Sequence, residues 1–235
     1  MIVEPEISII IPVLNETQTI NATIQALRSQ SADLQGTIEV IVVDGDPAGR
    51  TCSAIEDRDV IRLLSKPGRA KQMNKGATAA SGEILLFLHA DTLLEPGSLR
   101  KLGLAMEDRQ YASGAFDLRI AAPGVLFRII ERVSSFRSRL TRIPYGDQGI
   151  FIRRQIFDAI GRYPEIPLME DVALMRRLKA GRYRIVFSSS KAITSARRWQ
   201  EEGVVFTTLR NWVFITLYLL GVSPAKLARF YRNIT

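Results

Sequence analysis

Residues 84–92 read Ile84-Leu85-Leu86-Phe87-Leu88-His89-Ala90-Asp91-Thr92, an apolar run that ends abruptly in polar residues. Five consecutive apolar residues predict a strand that is buried on both faces, as in a parallel sheet. Because side chains alternate along a strand, His89 and Asp91 are expected to project to the same side. Ligands of open α/β sheets lie beyond the carboxyl ends of the strands, and a carboxylate there suits Mg²⁺ or Mn²⁺. The alternative is that Asp91 caps the next element and His89 is a hydrogen-bonded core residue.

Three further apolar segments precede this strand, at residues 7–13, 38–43 and 60–64. Helical patterns separate them, one with apolar residues at positions 20, 24 and 27, and one over residues 70–80 that ends at a Ser-Gly pair. Strands that alternate with helices predict an α/β fold with a mostly parallel central sheet, right-handed crossovers and helices on both faces.

Polar residues follow each of the four predicted strands. Asn15 and Glu16 follow the first strand, Asp44 the second, Arg69 the third and Asp91 the fourth. The carboxyl ends of parallel strands lie at one edge of the sheet, so these side chains predict a nucleotide site. A carboxylate at Asp44 can accept from a base or ribose, and Arg69 can neutralise a diphosphate. The chain has neither G-x-G-x-x-G after its first strand nor a P-loop, which disfavours dinucleotide oxidoreductases and P-loop NTPases.

Four motifs in this order resemble the family 2 glycosyltransferases of the GT-A fold. They are residues 9–16 (IIIPVLNE), 42–45 (VVDG), 68–77 (GRAKQMNKGA) and 87–91 (FLHAD). The resemblance covers about residues 7–190, and the short form looks most like the subgroup associated with arsenosugar biosynthesis. It implies a UDP- or GDP-sugar donor, a divalent metal (Mn²⁺ or Mg²⁺), inversion at the anomeric carbon and a small or lipid-linked hydroxyl acceptor.

The resemblance also assigns roles to individual residues. The D-x-D motif of the family falls on His89-Ala90-Asp91, where the first Asp is replaced by His, so Asp91 keeps the metal role. The nucleotide is expected to contact Pro12, Asn15, Glu16, Asp44, Arg69, Gln72, His89, Ala90 and Asp91.

Glu170 and Asp171 match the Glu-Asp motif of the family. The resemblance implies that Asp171 is the general base, with Glu170 as a helper or acceptor ligand. An inverting transfer needs a base that takes the acceptor proton, and a carboxylate within hydrogen-bond reach can do so. The alternative is that both residues only complement the dipole of the helix that they begin.

Two other polar segments are candidates for acceptor binding. Asp147 and Gln148 lie in a polar loop, where they contact sugar or acceptor hydroxyls or merely shape the loop. Arg198 and Trp199 follow the last strand and could seat a phosphate and stack a sugar ring. This element faintly resembles the Q-x-x-R-W element of processive relatives, but the Gln is absent, which indicates a non-processive enzyme.

Charge is distributed unevenly along the chain. Residues 1–117 hold 11 basic and 16 acidic side chains, and residues 118–235 hold 21 and 8. The second half is therefore expected to face phosphates, acidic lipid head groups or nucleic acid; the alternative is a solvated basic surface. A basic amphipathic helix is expected at about residues 124–142, either on a membrane surface or packed on the core with a solvated basic face. A second basic helix is predicted at residues 224–232. The apolar run at 212–222 is too short to span a bilayer, so a buried, dimer-forming or interfacial helix is expected there.

The 235 residues are expected to form one GT-A domain over 1–200 and a C-terminal helical extension over 201–235. Within the domain, 1–117 is the predicted nucleotide-binding half and 118–200 the acceptor half. One cysteine, Cys52, excludes an intrachain disulfide, and no signal peptide is evident. These features predict a cytoplasmic protein, possible peripheral contact with the inner face of the membrane, and a possible homodimer.

Three rival functions remain open. A nucleotidyltransferase shares strands that end in carboxylates, but it usually carries a Gly-rich basic loop after the first strand, where this chain has Pro-Val-Leu-Asn-Glu. A nucleic-acid-binding protein would interleave aromatic with basic residues on one face, and the basic residues here lie mainly on an apolar helix. No nucleic-acid partner is therefore expected. A catalytically inactive membrane-surface scaffold on the same fold is the third, because His89 breaks the family pattern.

Overall fold

A computed structural model describes residues 6–31 and 37–230. Its eight strands form a single sheet in the order β3-β2-β1-β4-β7-β6-β8-β5. They are β1 (Ile7–Val13), β2 (Ile38–Asp44), β3 (Ile61–Leu64), β4 (Ile84–Phe87), β5 (Thr92–Leu94), β6 (Tyr111–Ile120), β7 (Ile150–Arg153) and β8 (Arg184–Thr194).

Ten α-helices lie in the described part of the chain, together with a 3₁₀ turn at Gly146–Gln148. They are α1 (Ile20–Ser31), α2 (Arg50–Ser53), α3 (Arg69–Ala79), α4 (Ser98–Glu107), α5 (Val125–Thr141), α6 (Arg154–Ala159), α7 (Glu170–Ala180), α8 (Arg197–Glu202), α9 (Val204–Leu219) and α10 (Pro224–Ala228).

The first four predicted strands form the parallel half of the sheet, as expected. β1 pairs in parallel with both β2 and β4, and β2 pairs in parallel with β3. The register sets Val13 opposite Asp44 and Asp44 opposite Leu64, so these strands end together at one edge. Only β7 and β5 run against the other six strands. The prediction of a mostly parallel α/β sheet is confirmed.

Core residues cover both faces of the sheet. Ile9 and Ile11 of β1 join a cluster that includes apolar residues of α1 and α4, whereas Ile10 joins a cluster that includes residues of α3 and α7. The close approach of α3 to β1 requires Gly76, because a Cβ there would lie 2.5 Å from Ile10 Cγ2. This packing confirms helices on both faces and fixes Arg69, the first residue of α3, at the edge of the sheet.

The predicted fourth strand is shorter than its apolar run. β4 ends at Phe87, and His89-Ala90-Asp91 lies in a turn beyond it, so strand alternation does not position these side chains. The turn is fixed by backbone bonds: Leu88 N–H donates to Ile10 O at 3.0 Å, and Thr92 N–H donates to His89 O at 3.1 Å. Thr23 Oγ1 also donates to Ala90 O at 2.6 Å. The turn nevertheless brings His89 and Asp91 to one cavity.

The C-terminal region is helical, as expected, and it packs on the domain. Phe214 of α9 and Leu227 of α10 bury themselves against Leu168, which precedes α7. Within residues 6–31 and 37–230, no helix has the length and apolar character that crossing a membrane demands. The predicted basic helix at 224–232 is described only to residue 230, and residues 231–235 lie outside the described part of the chain.

Candidate active site

A cavity of about 210 Å³ lies at the carboxyl edge of the sheet. One side is formed by the ends of strands and the turn after β4, the other by the first turn of α7 and by α8 and α9. Its lining residues are Arg69, His89, Asp91, Tyr145, Gly146, Asp147, Leu168, Met169, Asp171, Val172, Thr194, Ser195, Arg197, Arg198, Trp199, Asn211, Phe214 and Ile215. The structure therefore brings together seven of the residues predicted from the sequence: Arg69, His89, Asp91, Asp147, Asp171, Arg198 and Trp199.

An ion pair between Arg69 and Glu170 joins α3 to α7 beside the cavity. Arg69 Nε lies 2.9 Å from Glu170 Oε1. The Glu170 residue is only 3% exposed, and burial raises the pKa of its carboxyl. Glu170 does not line the cavity. In the structure its carboxylate holds the guanidinium of Arg69, which does line the cavity. The proximity of Glu170 in turn raises the pKa of Arg69, which keeps the guanidinium charged.

The carboxylate of Asp171 is held in a fixed orientation. The backbone N–H of Gly146 donates to Asp171 Oδ2 at 2.7 Å, and that of Val172 donates to Oδ1 at 2.7 Å. Gly146 lies between this carboxylate and His89: a Cβ there would be 3.2 Å from His89 Nε2 and 3.5 Å from Asp171 Oδ2. The absence of a side chain at this position lets the imidazole and the carboxylate face the same small volume.

His89 is a neutral imidazole at physiological pH. Burial lowers its pKa to about 3, and the positive charges of Arg69 and Arg198 act in the same direction. A neutral ring can donate one hydrogen bond and accept another, but it adds no positive charge to the cavity.

The carboxyl group of Asp147 lies in surroundings that disfavour its charged form. Burial raises the pKa of its carboxyl to about 6, and the neighbouring charge of Asp171 raises it further. Its Oδ1 is buried without a hydrogen-bond partner among the described residues. Such a carboxylate is costly to the folded protein unless a ligand satisfies it. Asp147 therefore has the environment expected of a functional group.

Tyr145 is a cavity residue that the sequence did not single out. The guanidinium carbon of Arg137 lies 3.5 Å from the centroid of its ring. Burial raises the pKa of Tyr145 to about 12, so the phenol stays protonated. Its hydroxyl oxygen is buried and has no partner in the described structure, which leaves it available to a ligand in the cavity.

Helix α8 supplies the basic side of the cavity. Burial lowers the pKa of Arg198, and the like charges of Arg210 and Arg69 act in the same direction. Arg197 lies 4.0 Å from Glu16, which follows the first strand. The ring of Trp199 meets Phe127 edge to face, with centroids 6.5 Å apart. Cations thus face the carboxylates of Asp147 and Asp171 across the cavity, an arrangement that suits an anionic ligand with hydroxyl groups.

Three residues predicted to contact a ligand, Asp44, Gln72 and Gln148, make hydrogen bonds within the protein. Asp44 is fully buried and accepts from the backbone N–H groups of Asp46, Thr51 and Cys52 at 2.9, 2.9 and 3.1 Å. Gln72 donates to Val13 O and Val43 O at 2.7 and 2.8 Å.

Gln148, predicted to bind the acceptor, is fully buried. It accepts from Ser138 Oγ at 2.6 Å and donates to Phe116 O at 3.1 Å. None of Asp44, Gln72 and Gln148 lines the cavity. In this structure their side chains hydrogen-bond to other parts of the protein and do not form the cavity surface.

Four other predicted nucleotide residues lie outside the cavity lining: Pro12, Asn15, Glu16 and Ala90. Asn15 has a positive φ of 59° and accepts from Arg50 Nη2 at 3.3 Å. Glu16 accepts from Thr19 Oγ1 at 2.7 Å at the start of α1. Pro12 and Ala90 are buried. All four residues lie at or just beyond the ends of β1 and β4, which is the edge of the sheet where the cavity lies.

Helix α9 contributes cavity residues that the sequence did not indicate. Asn211, Phe214 and Ile215 line the cavity, although they lie in the predicted C-terminal extension. The only signal was Asn211 beside Arg210 within an apolar run, since polar residues inside such a helix need a partner.

Asp91 is the side chain that fits a divalent cation. In the described ranges, no three His, Cys, Asp or Glu side chains are grouped closely enough to enclose a metal ion. Mg²⁺ and Mn²⁺ are commonly held by one or two carboxylates together with phosphate oxygens and water. A carboxylate at the cavity edge, facing cationic side chains that suit a diphosphate, matches that mode of binding.

The glycosyl transferase family 2 profile matches residues 8–163. The match covers well over half of the chain, and this protein belongs to that family.

Curated relatives agree with this assignment. The chain is 26% identical over 222 residues to the probable glycosyltransferase YdaM of Bacillus subtilis (strain 168), covering 84% of this chain and 51% of that protein. It is 29% identical over 175 residues to the PGL/p-HBAD biosynthesis glycosyltransferase of Mycobacterium bovis (strain BCG / Pasteur 1173P2), covering 68% of this chain and 63% of the relative. The chain thus spans about half to two thirds of the length of these relatives.

Solved structures show the same GT-A fold. Residues 1–349 of S. aureus TarS superpose with a TM-score of 0.60 at 15% identity, covering 94% of this chain and 68% of that one. The mannosyltransferase PcManGT from Pyrobaculum calidifontis, in complex with GDP-Man and Mn²⁺, superposes with a TM-score of 0.59 at 19% identity. The superposition covers 81% of this chain and 56% of the mannosyltransferase chain.

Proposed function

We propose that this protein is a metal-dependent, inverting and non-processive glycosyltransferase that moves a sugar from a UDP- or GDP-sugar to a hydroxyl acceptor. The observation that carries the proposal is that Asp171, Asp91 and Arg69 face one cavity at the carboxyl edge of the sheet. Membership of glycosyl transferase family 2 supports the reaction class. The donor class is supported by the presence of GDP-Man in one structural neighbour and UDP-GlcNAc in another.

Asp171 is the proposed base. As the acceptor oxygen attacks the anomeric carbon, its proton passes to the Asp171 carboxylate, and the bond from that carbon to the diphosphate breaks on the opposite face. The hydrogen bonds from Gly146 and Val172 keep the carboxylate oriented without proton transfer. Fixing the base in this way lowers the entropic cost of reaching the transition state.

The donor diphosphate is proposed to lie between Arg69 and Arg198. Arg69 is held by buried Glu170, so its guanidinium is already oriented before the ligand arrives. Asp91 would hold the divalent ion, which supplies positive charge to the departing diphosphate. The neutral His89 and the phenol of Tyr145 can donate hydrogen bonds to the sugar or the nucleotide.

Asp147 and Trp199 are proposed to contact the acceptor or the transferred sugar. A carboxylate with an unpartnered oxygen can accept from sugar hydroxyls, and an indole can stack on a sugar face. Nothing in the chemistry of the cavity residues points to arsenic, so the resemblance to the arsenosugar subgroup adds no particular substrate to this proposal.

Donor binding and turnover test the proposal separately. UDP and GDP are titrated calorimetrically with Mn²⁺ and with EDTA, and Mn²⁺-dependent binding of one nucleotide is expected. Asp91→Ala should abolish the metal-dependent part of that binding. Asp171→Asn should bind the nucleotide as the wild type does, yet release nucleoside diphosphate from the donor sugar at least about a hundredfold more slowly.

Asp59 carries an exposed carboxylate that does not line the cavity, so Asp59→Asn is the matched control and should change neither measurement. Unchanged turnover of Asp171→Asn excludes this residue as the base. Release of pyrophosphate from a nucleoside triphosphate would favour a nucleotidyltransferase. Binding of neither nucleotide would favour an inactive scaffold whose site lapsed with the Asp-to-His change at position 89.

A further inference from the structure

Helix α5 presents an apolar stripe to solvent. Leu126, Ile129, Val133, Phe136 and Leu140 are spaced three and four residues apart and are between 41% and 74% exposed. The opposite side of the helix is the one that packs on the domain, through Phe127, Glu131 and Ser138. The amphipathic pattern of α5 is therefore not explained by the core of this protein. Contiguous exposed apolar surface of this kind marks a site of association.

Helix α9 presents a second exposed apolar face. Val205, Leu209, Trp212 and Val213 are between 48% and 62% exposed. The only charged residue of α9 is Arg210, which is paired with Glu202 at 2.6 Å and turned away from solvent.

The two helices are joined through a common cluster at their N-terminal ends. Phe127 and Ile130 of α5 pack there with Trp199 and with Val204, the first residue of α9. Trp199 also lines the cavity, so this cluster connects both helices to the candidate active site.

The side chains beside the apolar stripe of α5 are positively charged, which favours an anionic partner. Arg132 and Arg139 lie beside the stripe, and Arg142 follows the helix. The only acidic residue of α5, Glu131, is buried, where it pairs with Arg128 at 2.9 Å and accepts from Ile120 N. Arg132 and Arg142 are exposed and form no ion pair with any carboxylate in the described ranges.

A second copy of the chain fits this surface poorly. Residues spaced like the stripe can form a two-helix seam, and the flanking positions of the two helices then face each other. Here those positions carry Arg139, which pairs with Asp117, and Arg132, which has no carboxylate partner in the described ranges, so a symmetric pair would bring unneutralised positive charge together. An anionic bilayer surface instead accepts both the apolar stripe and the unpaired arginines.

We propose that α5 and α9 dock this protein onto the surface of a bilayer rich in anionic phospholipid. The apolar residues of both helices enter the interfacial region, and Arg132 and Arg142 contact lipid phosphates. The docking itself does not depend on the reaction. In combination with the proposed function, it places the cavity at a lipid surface and names a lipid-carried hydroxyl compound as the acceptor class.

Vesicle flotation tests the docking with the full chain. Vesicles of phosphatidylcholine alone are compared with vesicles that contain about one-third phosphatidylglycerol, at about 50 and 500 mM salt. Binding is expected with phosphatidylglycerol and should weaken at high salt. Trp212 should shift its fluorescence to shorter wavelength on binding, and Trp212→Phe should remove most of that shift.

Two sets of variants separate apolar from charged contributions. Phe136→Glu with Leu140→Glu should lower the vesicle partition coefficient at least about tenfold. Arg132→Gln with Arg142→Gln should lower binding to anionic vesicles by about fivefold for each arginine and leave the weak binding to phosphatidylcholine unchanged. Leu104→Glu, at a leucine on α4 that is 49% exposed, is the matched control and should bind as the wild type does.

Each outcome supports or overturns the proposal. Absence of binding to anionic vesicles overturns it, as does equal loss in the variant with both Phe136→Glu and Leu140→Glu and in Leu104→Glu. A dimer in light scattering that this double variant dissociates, without vesicle binding, would assign the stripe to a second copy. All variants are checked for unchanged thermal unfolding and for Mn²⁺-dependent nucleotide binding, so failure of docking is distinguishable from failure of the transferase proposal.

Discussion

Replacement of Asp147 by Asn should stabilise the folded protein, by an amount that depends on pH. Burial near Asp171 raises the pKa of the Asp147 carboxyl from 3.8 to about 6. One pKa unit corresponds to about 1.4 kcal/mol, so keeping this group ionised in the folded state costs about 3 kcal/mol of unfolding free energy. Asn has nearly the same shape and carries no charge, and the variant therefore avoids this cost.

The sign of the pH dependence follows from the two pKa values. Between pH 3.8 and about 6 the folded protein holds more of this proton than the unfolded chain does, so stability falls as pH rises through that window. Above about pH 6 the carboxyl is ionised in both states, and the cost is constant. Asp147→Asn should therefore gain about 3 kcal/mol at pH 7.5 but only about 0.5 kcal/mol at pH 4.

Urea denaturation at both pH values, in buffer with EDTA, measures this difference. Asp59→Asn serves as the control, because Asp59 is exposed and its neutralisation should matter little at either pH. A gain of equal size at pH 4 and 7.5 would refute the electrostatic explanation, and so would no gain at either pH. The same variant should transfer sugar more slowly than the wild type, because the carboxylate is proposed to contact hydroxyl groups of a ligand.

Two further changes probe the geometry around Asp171. Gly146→Ala should lower kcat by about tenfold or more, because the new Cβ would lie only 3.2 Å from His89 Nε2. It should have little effect on stability, because the backbone at this position does not have the positive φ that favours glycine. Steady-state kinetics and thermal unfolding measure the two effects. Arg69→Met should lower the free energy of unfolding by about 2 kcal/mol, because it leaves the buried Glu170 carboxylate unpaired. Adding Glu170→Gln should recover most of that loss, which urea denaturation of the single and double variants measures; additive losses would contradict the pairing.

The parallel half of the fold could be predicted because its signals are local. The segments that became β1, β2 and β4 are mostly apolar, and a polar residue lies at the last position of the strand or two residues beyond it. The three-residue strand β5 gave no comparable signal, because it follows the Asp91 turn directly and pairs with the distant β8.

Individual roles at the site were harder to predict, since they depend on contacts between distant segments. Asp44 and Gln148 are the residue types expected at a ligand site, yet backbone groups that the fold brings near occupy their side chains. Tyr145 lines the cavity and stacks with Arg137, and no spacing in the sequence indicates this contact. In contrast, Arg69 was predictable because it follows the third predicted strand, and Asp171 because it matches the Glu-Asp motif of the family; both lie in the first turn of a helix.

The position of α9 in the cavity wall extends the candidate active site beyond the part of the chain that the family profile matches. The family profile matches residues 8–163, whereas Asn211, Phe214 and Ile215 come from a helix well beyond that range. Because α9 contributes no strand to the sheet, its cavity-facing side chains can be changed without altering a strand pairing. A substitution at Asn211 is therefore expected to change which molecules fit the cavity while Arg69 and Asp91 keep their positions.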